Sequence, residues 1–455
     1  MRNGEPVEHP AFSQPRRRRE KQSEAAIQES MGSRTLGAFA VVRTTLLSAQ
    51  NRPNKSWVWG RVGKQYSVQG PIDVIIPVYN GPIDIVTLCI ESVILSSRKN
   101  TYHIIVIDDR STDSNIVNYI KSKEMVGEIE LLTNDHNLGF VRTVNRGMAI
   151  NKNRDVILLN SDTVVYGPWA ERMRFGAYSD RRIATVNPLS NGWMSNYPAL
   201  GRDDGDKYLE VDDDALNDLC LEVNLGKNAQ IPHTIGFCMF IKRQSLDEIG
   251  LFDHRNFAEG YGEETDFCYR ATAVGWTHAV VGDAFVRHWQ TQSFTGENRQ
   301  KRLEDAVKRF QILYPNLDYE KAIERFARAD PQRTLRTNLD LARLKRRFGS
   351  SKQLLVVFDN TIEQRRSATP SVFLNYRREQ GRVQLNLAEG NEKFPNLELY
   401  RVPEDVAEIN NMLSYLGVEQ LLFSSHSELD EFERQVSGLP VDINAELKMG
   451  ASESV

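Results

Sequence analysis

The chain has 455 residues, 40% hydrophobic and 26% charged, which suits a globular protein of more than one domain. No apolar run approaches the roughly 18 residues of a spanning helix, and no secretory h-region precedes a small-residue cleavage site, so the sequence reads as cytoplasmic. Charge is uneven: 12 Lys+Arg stand against 5 Asp+Glu through Lys64, then 45 against 56, and the acidic remainder argues against a nucleic-acid partner.

Residues 1–70 show no sustained period and read as a largely disordered basic leader with one helix over 34–49. Its Arg16, Arg17, Arg18 and Arg19 are a solvated tail or a peripheral contact for an anionic membrane at the inner face. From Pro71 the texture changes. "IDVIIPVYN" is a short continuous apolar run, as in a strand buried on both faces, and Pro82 opens a helix. "YHIIVIDD" is a strand, followed by a helix capped by Ser111 or Thr112. "EIELLT" is a strand, 139–151 a helix, "DVILLN" a strand, and Pro168 opens another helix. This alternation predicts an α/β fold with a mainly parallel sheet flanked by helices. Ligands of such sheets bind beyond the carboxyl ends of the strands. Further on, "GFCMFIK" is a strand, 262–275 a helix, and "THAVV" and "AFVRH" two short strands. Residues 301–349 read as a helical linker. A second βα series fills 350–455, with strands in "QLLVVFD", "RVQLNL" and "VEQLLF" and a helix over 404–416. Cys89, Cys220, Cys238 and Cys268 form no C-x-x-C and read as free core thiols.

Three stretches carry carboxylates where the sheet would open. In "VIDDRSTD", Asp108 and Asp109 cap the next helix or accept a base N–H. In "NSDT", Asp162 makes an Asx-turn or binds a hard divalent cation that leaves positions for phosphate oxygens. His288 is the best second ligand, against the plain reading of a satisfied polar histidine. In "GYGEETDFCYRA", Glu263 and Glu264 suit a helix start; Asp266 adds a third like charge, which a cleft for a cation and a hydroxylated substrate would explain.

In order and spacing these motifs resemble the inverting glycosyltransferases of family 2, which have the GT-A fold, over about 71–300. "VIIPVYN" is similar to that family's opening strand, which implies that Pro77 and Tyr79 line a nucleotide pocket. "VIDDRSTD" is similar to its Asp-Asp-x-Ser turn, with Asp109 reading a uracil or thymine N–H. "NLGFVRTVNRG" resembles the rhamnosyl- and galactofuranosyl-type branch, with Gly139 allowing close backbone approach and Asn145 tying the loop to the donor site. "NSDT" takes the place of a D-x-D motif in which Ser161 replaces an acid and Asp162 keeps the metal-binding carboxylate. "GEETD" matches the family's acid motif with Glu264, the implied general base, where an Asp is usual. "RHWQTQSF" resembles the segment whose histidine approaches metal or diphosphate. "GFCMFIKRQSLDEIGLFD", which includes Gly236, is placed on the acceptor side, as is Asp266. The 350–455 segment resembles the first half of a GT-B transferase and reads as a non-catalytic Rossmann-like accessory domain.

The resemblance implies transfer of a sugar from a UDP- or dTDP-linked donor to a hydroxyl of a glycan or lipid-linked acceptor, with Mn2+ or Mg2+, in cell-surface polysaccharide synthesis. The rival readings are a pseudoenzyme that binds glycan or scaffolds an assembly, and a nucleotidyltransferase. "PVYNGPIDIV" lacks the basic residues that the latter needs for a triphosphate. No G-x-G-x-x-G follows a strand, which disfavours a nicotinamide enzyme.

Overall fold

The computed structural model describes residues 70–96, 102–191, 197, 209, 211–258, 260–289 and 296–348, and beyond these the strands of a second sheet and a few residues near 426–430. The leader with its helix over 34–49, and the helix over 404–416, lie outside the described residues.

Strand β1 (Ile72–Val78) is buried along its length except at Pro77. It pairs in parallel with β2 (Tyr102–Asp108) and β4 (Val156–Leu159), and β3 (Glu130–Thr133) adds in parallel outside β2. The β1–β4 ladder stops at Ile75, so Pro77 lies beyond it and its missing N–H breaks no bond on that side. Helices α1 (Ile83–Ser96), α2 (Ser114–Met125) and α3 (Phe140–Met148) make the crossovers. Pro82 stands one residue before α1, and its carbonyl accepts from Ile85 and Val86. The α2 cap is Asp113, which accepts from Asn115 N–H at 2.8 Å, and not the expected Ser111 or Thr112. Those two residues are occupied by Asn80, as described below.

Beyond β4 the sheet turns mixed. The next elements are β5 (Thr163–Val165), α4 (Trp169–Tyr178), β6 (Ile183–Ser190), α5 (Asp213–Asn224), β7 (Asn228–Ile231), β8 (Cys238–Ile241), α6 (Arg243–Ile249), α7 (Glu263–Ala273) and β9 (Thr277–His288). The strand order is β3-β2-β1-β4-β8-β6-β9-β5, with β7 on β9. β8 runs antiparallel to both β4 and β6, β5 and β7 run antiparallel to β9, and β6 and β9 are parallel. The parallel expectation therefore holds for the first half of the sheet only. One apolar cluster packs α1, α2 and α4 on one face of the sheet, and another packs α3, α6 and α7 on the other.

β9 is one strand where two were expected. Gly282 N–H donates to Lys227 O at 2.9 Å, and Asp283 accepts from Gly226 N–H at 3.1 Å, so the polar pair is satisfied inside the sheet. Burial pushes the Asp283 carboxyl up to about 6 against the pull of Arg172. After β9 come three helices, α8 (Gly296–Leu313), α9 (Tyr319–Ala329) and α10 (Arg333–Phe348), and α10 is packed and not a spacer. Leu335 and Leu339 are buried, Asn224 Nδ2 donates to Leu335 O at 3.0 Å, and Tyr197 OH donates to Asp340 at 2.7 Å.

The second sheet holds β10 (Gln353–Phe358), β11 (Val372–Glu379), β12 (Arg382–Glu389), β13 (Glu392–Lys393), β14 (Leu399–Arg401), β15 (Gln420–Phe423) and β16 (Asn444–Leu447). β11-β10-β15-β16 are parallel neighbours, and β12 joins β11 antiparallel. All four cysteines are free and buried, as expected. Among the described residues no helix is long and apolar enough to cross a membrane.

Candidate functional site

The carboxyl ends of β1, β2 and β4 open on one edge of the sheet, where the loops are drawn together by side chains. Asn80, in the left-handed region at φ 52, follows β1. Its Oδ1 accepts from Thr112 N–H at 2.8 Å and Asp113 N–H at 3.1 Å, and its own N–H donates to Ser111 Oγ at 3.0 Å. The turn after β2 is thereby locked to the end of β1. Asp108 accepts from Ser111 N–H at 2.8 Å. Tyr79, beside Asn80, is 52% exposed.

Asp109 has a different environment from the one its motif suggests. It is buried, and its carboxylate accepts from Asn134 Nδ2 at 2.7 Å, Leu138 N–H at 2.7 Å and Gly139 N–H at 2.9 Å. Three donors already hold it, so its first role here is to anchor the loop that opens α3. Gly139 ends that loop at φ 78, and a Cβ there would meet Ala258 O at 3.2 Å, so both its angle and its closeness call for glycine. Asn145 is likewise engaged internally. Its Nδ2 donates to Phe252 O at 2.9 Å and its Oδ1 accepts from Phe252 N–H at 3.1 Å, which ties α3 to the loop after α6.

Asn160, Ser161 and Asp162 form the turn between β4 and β5. The apolar run of "DVILLN" ends there because Thr163–Val165 leaves β4 and pairs with β9, Thr163 standing opposite His288. That register puts Asp162 Oδ1 3.2 Å from His288 Nε2. Trp289 N–H donates to Asp162 O at 2.9 Å, and Asn191 holds the His288 backbone on both sides at 2.8 Å. Phe237 stacks on the His288 ring with centroids 5.1 Å apart. Two adjacent ligands of an octahedral ion with bonds of about 2.1 Å sit roughly 3 Å apart, so the pair fits a divalent cation. Among the described residues no group of three or more His, Cys, Asp or Glu could hold a metal. Ser161 adds no acid to the pair.

Helix α7 begins after Gly260, Tyr261 and Gly262, all at positive φ. At Gly262 a Cβ would meet the Phe257 ring at 2.9 Å, so only glycine fits. Glu263 and Glu264 then lie side by side. The backbone amides of its own residue, Gly236 and Gly262 favour the ionised form of the Glu264 carboxyl, against its burial. Burial pushes both carboxyls upward, and Glu263 is raised further by the charge of Glu264. One oxygen of each, Oε2, is buried without a partner. Asp266 belongs elsewhere. It pairs with Arg270 Nε at 2.8 Å and accepts from Tyr314 OH at 2.6 Å, so it ties the residue after α8 to α7.

The structure thus brings together Asp162 with His288. It assigns Asp109, Asn145 and Asp266 to internal bonds. Asn80, Asn134, Asn191 and Phe237 were missed by the sequence reading. Asn80 alone had a local signal, being the polar residue that ends the first apolar run.

Residues 73–250 match the model of the family described as Glycosyl transferase family 2. No curated protein matches the chain. Among solved structures, it is similar to one described as the crystal structure of GalNAc-T7 with UDP, GalNAc and Mn2+, at 18% identity and a TM-score of 0.41, covering 53% of this chain and 48% of that one. The likeness therefore spans about half the length of that relative. It is also similar to the mannosyltransferase PcManGT from Pyrobaculum calidifontis in complex with GDP-Man and Mn2+, at 14% identity and a TM-score of 0.40, covering 70% and 88% of the two chains. The mixed sheet flanked by helices agrees, over the matched segment, with the GT-A fold expected from the sequence.

Proposed function

We propose that the chain is an inverting glycosyltransferase that moves a sugar from a UDP- or dTDP-linked donor to a hydroxyl of a glycan or lipid-linked acceptor, in cell-surface polysaccharide synthesis. The observation that carries this reading is the Asp162–His288 pair at the edge of the sheet, 3.2 Å apart and backed by the Phe237 ring, a donor set that fits a divalent cation. Glu264, in the first turn of α7 with one buried and unpartnered oxygen, is the carboxylate that takes the part of the base. The family match over 73–250 supports the same reaction class.

Glu264 accepts the proton of the acceptor hydroxyl as the new bond forms. Burial raises its carboxyl toward the working pH, which strengthens it as a base, while the three backbone N–H groups keep its ionised form accessible. Its unpartnered Oε2 gains a partner when an acceptor hydroxyl arrives. Asp162 and His288 would hold Mn2+ or Mg2+, which supplies positive charge against the departing diphosphate when bound. Tyr79, Pro77, Asp108 and Ser161 border the nucleotide side, and Asp109 fixes the loop that Gly139 completes. The 350–455 sheet serves as a non-catalytic accessory domain resembling half of a GT-B transferase. The basic leader gives a cytoplasmic enzyme peripheral contact with the membrane.

The test is a mass-spectrometric screen of the full chain with Mn2+ against UDP-glucose, UDP-galactose, dTDP-rhamnose and GDP-mannose, scoring hydrolysis and transfer. Turnover of one donor that Glu264→Gln abolishes supports the proposal. Absence of turnover and of nucleotide binding across the panel overturns it in favour of a non-catalytic module.

A further inference from the structure

The cation pair depends on where β9 ends, and one side-chain amide fixes that end. β6 and β9 run parallel, and their last paired residues are Ser190 and Val286. β9 continues to His288, whereas β6 stops at Ser190. The Asn191 side chain takes over from the strand. Its Oδ1 accepts from His288 N–H at 2.8 Å, and its Nδ2 donates to His288 O at 2.8 Å. It thus supplies the acceptor and the donor that the peptide groups of a longer strand would offer. Asn and Gln carry both on one planar group, and Asn has the shorter reach.

The other edge of β9 is closed by β5. Thr163 stands opposite His288, and Trp289 N–H donates to Asp162 O at 2.9 Å. The backbone at the end of β9 is therefore bonded on one side by Asn191 and on the other by Asp162 itself. The imidazole has its own support in the stacked Phe237 ring. With backbone and ring both held, Nε2 stands 3.2 Å from Asp162 Oδ1. Asn191 is steadied in turn through its neighbour: Tyr197 N–H donates to Ser190 O at 2.7 Å. The buried Tyr197 hydroxyl donates to Asp340 at 2.7 Å and accepts from Arg343 Nη1 at 2.9 Å, both on α10.

We propose that Asn191 is a positioning residue of the cation site: it holds the His288 backbone so that Nε2 keeps the spacing from Asp162 Oδ1 that a divalent ion needs. The inference rests on the cation-binding part of the function proposed above. A purely structural role for Asn191 would lower the melting temperature and leave the ion affinity of the folded protein unchanged. The positioning role moves the affinity.

The experiment is a Mn2+ titration of the full chain, with free Mn2+ read from its electron paramagnetic resonance signal, beside melting curves. Asn191→Ala removes both bonds, and Asn191→Leu removes both while keeping the bulk. Each is expected to weaken Mn2+ binding by roughly 10-fold or more below its unfolding transition, the range seen when a partner that orients a metal ligand is lost. Placed in His288→Ala, either is expected to change the residual affinity by less than about twofold, because the residue acts through His288. Parental Mn2+ affinity in either folded variant overturns the proposal, as do losses that multiply across the cycle. Failure of both variants to fold also overturns it, because the bonds then serve the architecture itself. The parent and His288→Ala judge the underlying reading. Mn2+ binding that is absent in the parent, or unchanged by His288→Ala, removes the cation pair, and the positioning role falls with it; a parent that binds Mn2+ through His288 beside unimpaired Asn191 variants removes the positioning role alone.

Discussion

Replacing Asp109 by Asn separates two roles that the motif cannot distinguish. If Asp109 reads a nucleobase, the change weakens nucleotide binding in a stable protein. The structure points the other way, because the carboxylate already accepts three N–H bonds at 2.7, 2.7 and 2.9 Å. Asn keeps the shape but turns one acceptor into a donor. With Oδ1 retained toward Asn134 and Leu138, the new amide faces Gly139 N–H, donor against donor. One charge-assisted bond is lost outright and two lose their charge, which together costs about 2–4 kcal/mol. Urea unfolding should show a lower midpoint with an unchanged slope. Asp108→Asn, whose residue accepts a single backbone N–H in the turn, should move the midpoint less. UDP calorimetry below the unfolding transition should show binding retained in both. An unshifted midpoint in Asp109→Asn together with lost UDP affinity would refute the anchoring role and restore the base-reading one.

Three more outcomes are expected. Asp162→Asn should abolish donor turnover, and excess chelator should do the same to the parent; full activity in chelator removes the cation from the mechanism. Asp266→Asn should lower the melting temperature, since its bonds to Arg270 and Tyr314 are worth about 1–3 kcal/mol, and leave acceptor KM unchanged; a raised KM in an equally stable protein would return Asp266 to the acceptor side. Asp283, pushed up to about 6 by burial from an ordinary value of 3.8, favours the fold while protonated and loses that contribution as pH rises through its folded value. The stability of Asp283→Asn relative to the parent should therefore improve by about 2 kcal/mol between pH 4 and pH 6.5, measured by urea unfolding, whereas a pH-independent difference contradicts this.

Strands such as 72–78 and 156–159 could be read from the sequence because a strand buried on both faces leaves an unbroken apolar run. The helix over 263–273 was legible from its glycines and acidic start. The continuity of β9 was not, because Gly282 and Asp283 look like a break until Gly226 and Lys227 arrive to bond them. The same limit applied to the site. Asp162 and His288 were paired through motif order, and the register of β5 on β9 gives that pairing its geometry. The internal bonds of Asp109 and Asp266 could not be read from the sequence, because a carboxylate at a helix start has the same local signature whether its partner is a ligand or, as here, Leu138, Gly139 or Tyr314. Asn191 carries no local signal, since its partner lies 97 positions away.

The pairing of β5 with β9 also sets a timetable. Asp162 emerges from the ribosome early, while the histidine it meets lies at the end of the sheet's last strand, and the Asn191 bonds that steady this histidine span 97 positions. Contacts of that separation close slowly, after local helices and neighbouring strands have formed. A nascent chain that has completed β1 to β4 still lacks the histidine of the Asp162–His288 pair. That pair forms in a single late event, the docking of β9, so under the proposed function a chain stalled short of it is expected to turn over no donor.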